Sequence, residues 1–140
     1  MPQPTRLLSI LVLLAATLLA ACATSGERQR FGAQELEVYT RHAGAPVDQI
    51  RSFRLISWQP VSDFTLLLEA RLNDWYLIEV DGPCSGLPWA NKIGFNQTMN
   101  ALQARFDSVV VEGLPCRIRS IRPVDRRAAL AEIRELQAAR

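Results

Sequence analysis

The chain has 140 residues, of which 49% are hydrophobic, and its sixteen basic and fourteen acidic side chains leave a formal charge of +2. That length suits one modest domain rather than two. So small a net charge excludes a polyanion-binding field over the whole molecule, and no nucleic-acid partner is expected.

The first segment, Leu7 to Leu19, reads LLSILVLLAATLL behind the single charge of Arg6. A short positive head followed by an aliphatic core is the pattern of an export signal. The core falls short of the ~20 residues that span a ~30 Å hydrocarbon layer, so a permanent helical anchor is the weaker reading. At its end, Leu19-Ala20-Ala21-Cys22 resembles the bacterial lipobox. Small side chains let the backbone lie extended in a peptidase groove, and only a thiol can take the diacylglyceryl thioether.

Residues 1–21 are therefore read as a lipoprotein signal peptide, with Cys22 lipidated and becoming the mature N-terminus. Ala21-Cys22-Ala23 also fits an ordinary signal-peptidase site, which would cut after Ala23 and release a soluble protein. Ala23 is not the aspartate associated with inner-membrane retention, so the expected address is the outer membrane, facing the periplasm. One acyl chain holds only marginally at ~0.8 kcal/mol per buried methylene, whereas two or three make release negligible. Export to an oxidising compartment gives Cys84 and Cys116, an even pair once Cys22 is spent, the opportunity to form a disulfide. The alternative is two buried free thiols.

Residues 22–34 are polar and without a sustained period, and they are read as a tether; residues 35–140 form the globular domain. ELEVYTRHAG is a short helix ending at Gly44 or a first strand, with helix preferred. Ile50 to Ser57 and Phe64 to Ala70 alternate apolar and polar side chains and read as half-buried strands. Asn73-Asp74 supplies a turn before WYLIEV, where Tyr76, Ile78 and Val80 share a side, the best hairpin candidate in the chain.

DGPCSGLP is a loop rich in breakers, followed by KIGF, an ambiguous TMNALQARF read as strand, and DSVVV. In CRIRSI, Cys116 and Ile118 face one way and Arg117 and Arg119 the other, until Ile121 breaks the alternation as a bulge would. Asp125 is an N-cap candidate for a final helix whose Ala129, Leu130, Ile133 and Leu136 form an apolar stripe suited to docking on a sheet. The expected architecture is α+β: a small, mostly antiparallel sheet or partly open barrel closed by a C-terminal helix.

The lipobox, SWQPVSDFTLLLEA, YLIEV leading to Cys84, and FDSVVV followed by CRIRSIRPVD together resemble a group of small proteobacterial lipoproteins classified only as a domain of unknown function. The resemblance covers roughly Gly44 to Asp125, and its most specific feature is Cys116, Ile118, Ile121, Pro123 and Asp125 in a C-x-I-x-x-I-x-P-x-D pattern. It implies a cell-envelope address and a disulfide, and it carries no catalytic residue, ligand or partner.

No constellation for catalysis stands out. His42 is the sole histidine and lies near the tether, which removes histidine clusters for metal and leaves a Ser-His-Asp site without support. Cys84 and Cys116 lack C-x-x-C spacing, so neither zinc nor thioredoxin-like chemistry is indicated, and no cofactor is expected. Glu69, Glu79 and Asp81 fall on the polar phase of strands and read as solvated carboxylates.

What remains is a basic segment, with Arg117, Arg119 and Arg122 as candidates for binding an anionic partner and Arg126 and Arg127 close behind. An envelope protein, lipopolysaccharide or peptidoglycan would suit it; the competing reading is solubilising charge. Arginines beside a helix N-terminus oppose the macrodipole, which makes them odd as helix design alone. The preferred function is thus a non-enzymatic, membrane-anchored binding or scaffolding protein. The alternative is a small-molecule binding module or hydrolase with a site near Trp75, Glu79 and Trp89.

Overall fold

A computed structural model describes residues 32–139. The expected signal peptide and the expected lipidation site at Cys22 lie outside the described residues, as does most of the expected tether. Residues 32–41 form helix α1, so the preference for helix over strand here is met, and the helix takes in the last three residues assigned to the tether. No helix among the described residues is long and apolar enough to cross a membrane.

Eight strands follow: β1 Gln49–Arg51, β2 Ser57–Ser62, β3 Thr65–Arg71, β4 Asp74–Val80, β5 Ile93–Asn96, β6 Ala101–Gln103, β7 Ser108–Val111 and β8 Leu114–Val124. A 3-10 turn, Leu87–Trp89, precedes β5, and helix α2, Arg126–Ala138, follows β8. Six strands form a curled antiparallel sheet in the order β2-β3-β4-β8-β7-β5, and β1 pairs with β6 beside it. The fold is α+β, a half-barrel with a C-terminal helix.

The long strand β8 organises the sheet. Its first half, Leu114 to Arg117, pairs with β7, and its second half, Ile118 to Val124, pairs with β4. Between them the register slips by one: Glu79 faces Ser120 while Val80 faces Ile118, leaving Arg119 as the extra residue of a bulge. The broken alternation in CRIRSI marks that bulge. Beyond it, β8 also bridges back to the segment after α1, through Ala43 opposite Val124 and Val47 opposite Ile121.

The hairpins obey their turn chemistry. Glu112 and Gly113 both take positive φ, 51° and 82°, between the paired residues Val111 and Leu114, as a tight hairpin of right-handed twist requires. Met99 and Asn100 do the same between Thr98 and Ala101. The expected β3-β4 hairpin is present, with Arg71 opposite Asp74 and Asn73 at φ 65°.

The sheet is buried on its inner face and partly covered on its outer face. Inside the curl, Leu66, Leu68, Ile78, Val80, Ile118 and Ile121 pack with Ile50 and Leu102 of the small sheet. On the outer face, the alternate residues Leu67 and Leu77 lie under the helices, which contribute Val38 and Tyr39 from α1 and Ala129 and Ile133 from α2, all buried. The C-terminal helix therefore docks as its apolar stripe predicts.

Three expectations need correction. The strand over Ile50 to Ser57 ends after Arg51, because Ser52 turns left-handed at φ 51°; Phe53 still buries its ring, but without a ladder. No alternation marks β2, because Pro60 and its uniformly half-buried side chains hide it; proline is tolerated there because β2 is an edge. TMNALQARF yields only three strand residues, with Met99 and Phe106 exposed in turns and Leu102 and Ala104 buried in the core.

Candidate functional site

The bulge on β8 aims the first group of arginines. Arg119, the bulged residue, lies across the sheet from β4 and donates from Nε to Asp81 at 2.8 Å and from Nη1 to Glu79 at 3.3 Å. The hydrogen bond to Asp81, reinforced by both carboxylate charges, holds its guanidinium pKa above the ordinary value. Ser120 donates from its hydroxyl to the other Glu79 oxygen at 3.3 Å.

Arg122 turns the other way, toward the end of α1. Its Nε donates to the Gly44 carbonyl at 2.9 Å, and its Nη2 donates to Ala43 at 3.1 Å and Thr40 at 3.5 Å. These carbonyls belong to the C-terminal end of a helix and the chain leaving it, where acceptors lack intrahelical partners and the dipole favours a cation. Of the three arginines singled out in the sequence, Arg119 and Arg122 thus have internal partners. Arg117 is exposed and forms no ion pair with any described residue.

The second group converges instead. Asp125 caps α2 by accepting from Ala128 N–H at 3.0 Å, which starts the helix immediately after β8 and places Arg126 against Trp75 on neighbouring β4. The Arg126 guanidinium carbon lies 4.2 Å from the ring centroid of Trp75, a cation–π stack. Arg126, Arg127 and Arg134 then line one cleft of about 340 Å³ with Trp75, Asn73 and Leu130. None of the three forms an ion pair with a described residue, and the first turn of α2 carries no acidic side chain.

The Nε of Arg126 is buried and has no hydrogen-bond partner among the described residues. Leaving such a donor unsatisfied costs on the order of 1–3 kcal/mol. Arginines that looked misplaced as helix design are therefore the walls of a basic cleft. The sequence signal was their conflict with the macrodipole; what it lacked was Arg134, two turns on, and Trp75 from another strand.

Other candidates are dispersed or absorbed. Trp75 lies at the start of β4 against α2, and Trp89 is 82% exposed on the 3-10 turn beyond the far end of that strand. Glu79 is four residues along from Trp75, ~13 Å at strand spacing. The structure does not bring Trp75, Glu79 and Trp89 into one site. Glu79 instead lines a separate cavity of about 250 Å³ under α1, with Ser120, Thr65, Thr40 and Arg122.

His42 Nε2 lies 2.7 Å from Glu132 Oε2, and Arg41 bonds the other oxygen of Glu132. Those hydrogen bonds, that of Arg41 first, hold the Glu132 carboxyl below its usual pKa. They tie α1 to α2. Among the described residues no group of three or more His, Cys, Asp or Glu is arranged to hold a metal.

Cys84 and Cys116 form a disulfide with their Cα atoms 5.8 Å apart. It pins the loop after β4 to the start of β8, and Cys84 is buried in the inner core.

Comparison with known proteins adds a family. A family model described as a family of unknown function (DUF6491) matches residues 5–140, and the chain belongs to that family. No curated protein and no solved structure matches the chain.

Proposed function

Taking that membership as the premise, we propose that the chain is an exported lipoprotein, held by acyl chains on Cys22 in the outer membrane and facing the periplasm. Its domain acts there as a non-enzymatic binding module for an anionic envelope partner. Three features support the address: the Leu19-Ala20-Ala21-Cys22 boundary, a family match that takes in the leader from residue 5, and the pairing of the two remaining cysteines.

The binding role is carried by one observation. Arg126, Arg127 and Arg134 surround a single cleft whose one carboxylate, Asp125, is committed to capping α2. Elsewhere the charges that looked available are consumed by one another, Arg119 by Asp81 and Glu79, Arg41 and His42 by Glu132. The Arg117 surface offers one guanidinium without an ion-pair partner among the described residues and is the weaker anion site. Retention of the full chain, solubilised in a neutral detergent, on a dextran sulfate column tests this. Retention should fall with rising salt through screening and drop sharply in the Arg126→Gln/Arg127→Gln/Arg134→Gln variant. Equal retention of both proteins refutes the cleft as the binding site.

The second reading, a small-molecule site or hydrolase, is favoured by the cavity under α1, where Ser120 Oγ and the Glu79 carboxylate meet. Release of p-nitrophenol from p-nitrophenyl acetate that is lost in both Ser120→Ala and Glu79→Gln variants would establish it.

A further inference from the structure

We propose that the cleft between Trp75 and α2 is a binding site for a phosphomonoester borne on a compact organic body. The inference rests on the anionic-partner reading above and narrows it to one ligand chemistry.

Charge decides the head group. Three guanidiniums face the cleft against the one carboxylate of Asp125, and that carboxylate already accepts the Ala128 N–H. The partial positive charge at the N-terminal end of α2 is met by the Asp125 cap, so the surplus facing the cleft is that of the guanidiniums. A phosphomonoester carries about −1.5 to −2 at neutral pH, which matches this surplus, whereas a carboxylate or a phosphodiester brings only one charge.

Geometry agrees with charge. Guanidinium is planar and presents paired donors that fit phosphate oxygens. Arg126 stacks on Trp75, and its buried Nε–H has no protein acceptor among the described residues. A small shift of the guanidinium along the ring brings that N–H to a phosphate oxygen in the cleft, which supplies the acceptor it lacks. Arg127 and Arg134 are exposed and free to close on the same anion; Arg134 spends one N–H on the Leu130 carbonyl, which keeps its stem along the helix.

The remaining walls describe the body of the ligand. Trp75 and Leu130 offer apolar surface, and Asn73, projecting from the left-handed corner of the β3-β4 hairpin, adds an amide able to donate and accept. The volume, about 340 Å³, is at the small end of ligand sites. A glycerol- or sugar-sized phosphate suits it. Such a group occurs both on soluble metabolites and on lipid head groups, and the chemistry recognised is the same.

The test uses the full chain in dodecyl maltoside micelles, followed by NMR of the Trp75 indole N–H and the Arg126 Nε–H. Glycerol 3-phosphate is titrated against glycerol and dimethyl phosphate; in parallel, the micelles are doped with phosphatidic acid or with phosphatidylglycerol. Glycerol 3-phosphate or phosphatidic acid should shift both resonances saturably, with weaker binding for the monoanionic and neutral probes. Arg127→Gln/Arg134→Gln, at two exposed positions that leave the fold intact, should weaken binding about tenfold or more.

A response to glycerol 3-phosphate alone identifies a soluble ligand, and a response to phosphatidic acid alone identifies a lipid one; either supports the site. Shifts that survive the double substitution, or equal response to dimethyl phosphate, overturn it. If neither phosphomonoester shifts the resonances while dextran sulfate still retains the wild type and releases the triple variant, the phosphomonoester assignment fails and the anionic-partner reading stands. Loss of both results removes both.

Discussion

Arg122, at the outer face of β8, donates through Nε to the carbonyl of Gly44 at 2.9 Å, across 78 residues of sequence. With its bonds to Ala43 and Thr40 it closes the C-terminal end of α1 in the way a capping residue would, but from another element. The last turn of α1 thus relies on the sheet for its hydrogen-bond acceptors to be satisfied.

Arg122→Ala should therefore destabilise the domain by about 1–3 kcal/mol, the range for hydrogen bonds made by a charged group. Arg117→Ala, at an exposed and unpaired position, should leave stability within ~0.5 kcal/mol. Urea denaturation of the two variants beside wild type checks the contrast.

Reduction of the Cys84–Cys116 bridge should lower stability by ~3 to 4 kcal/mol on the chain-entropy model for a loop of this size. The bridge closes a separation of 32 residues. Denaturation with and without dithiothreitol measures the loss. Alkylation of denatured, unreduced protein should leave Cys84 and Cys116 unlabelled.

The pH dependence follows from Glu132. Its carboxyl pKa is lowered by hydrogen bonds from Arg41 and then His42, so the contribution of this cluster is present above the ordinary carboxylate pKa of ~4.3 and is lost as pH falls through the lowered folded value. Glu132→Gln should remove that part of the acid dependence. Stability profiles from pH 7 down to about 2 should then differ in slope on the acid limb.

Processing at Cys22 is checked by mass. Intact-protein mass spectrometry should find a mature chain beginning at Cys22 and carrying acyl chains, and Cys22→Ser should accumulate as precursor. A mature chain beginning at Thr24 would establish the ordinary signal-peptidase cut instead.

Much of the fold was legible because one periodicity dominates it. Tyr76, Ile78 and Val80 alternate cleanly, and the failure of alternation at Ile121 located a real bulge. The polar phase misled where a second layer covers it: Thr65 reads as solvent-facing, yet it is buried at 6% exposure beneath α1. Burial alternation without a ladder misled again at Phe53, because nothing in Ser52 announces its left-handed turn.

The candidate site was half legible for a related reason. Sequence proximity grouped Arg117, Arg119 and Arg122, whereas a one-residue bulge and the end of α1 send the last two to different internal partners. Arg126, Arg127 and Arg134 fall on one face of α2 at helical spacing, but the other wall of the cleft, Trp75, comes from a strand that no local pattern connects to that face.

The pairing of β8 with the chain just after α1 also bears on the rate of folding. Ala43 meets Val124, and Val47 meets Ile121, near the two ends of the described domain. Contacts so distant along the chain carry a loop-closure cost that slows folding. The segment after α1 therefore has no partner strand to settle on until the last strand has emerged. For the export route proposed above, a precursor that folds slowly stays threadable, and the disulfide to Cys116 then fixes the topology only after the chain has crossed.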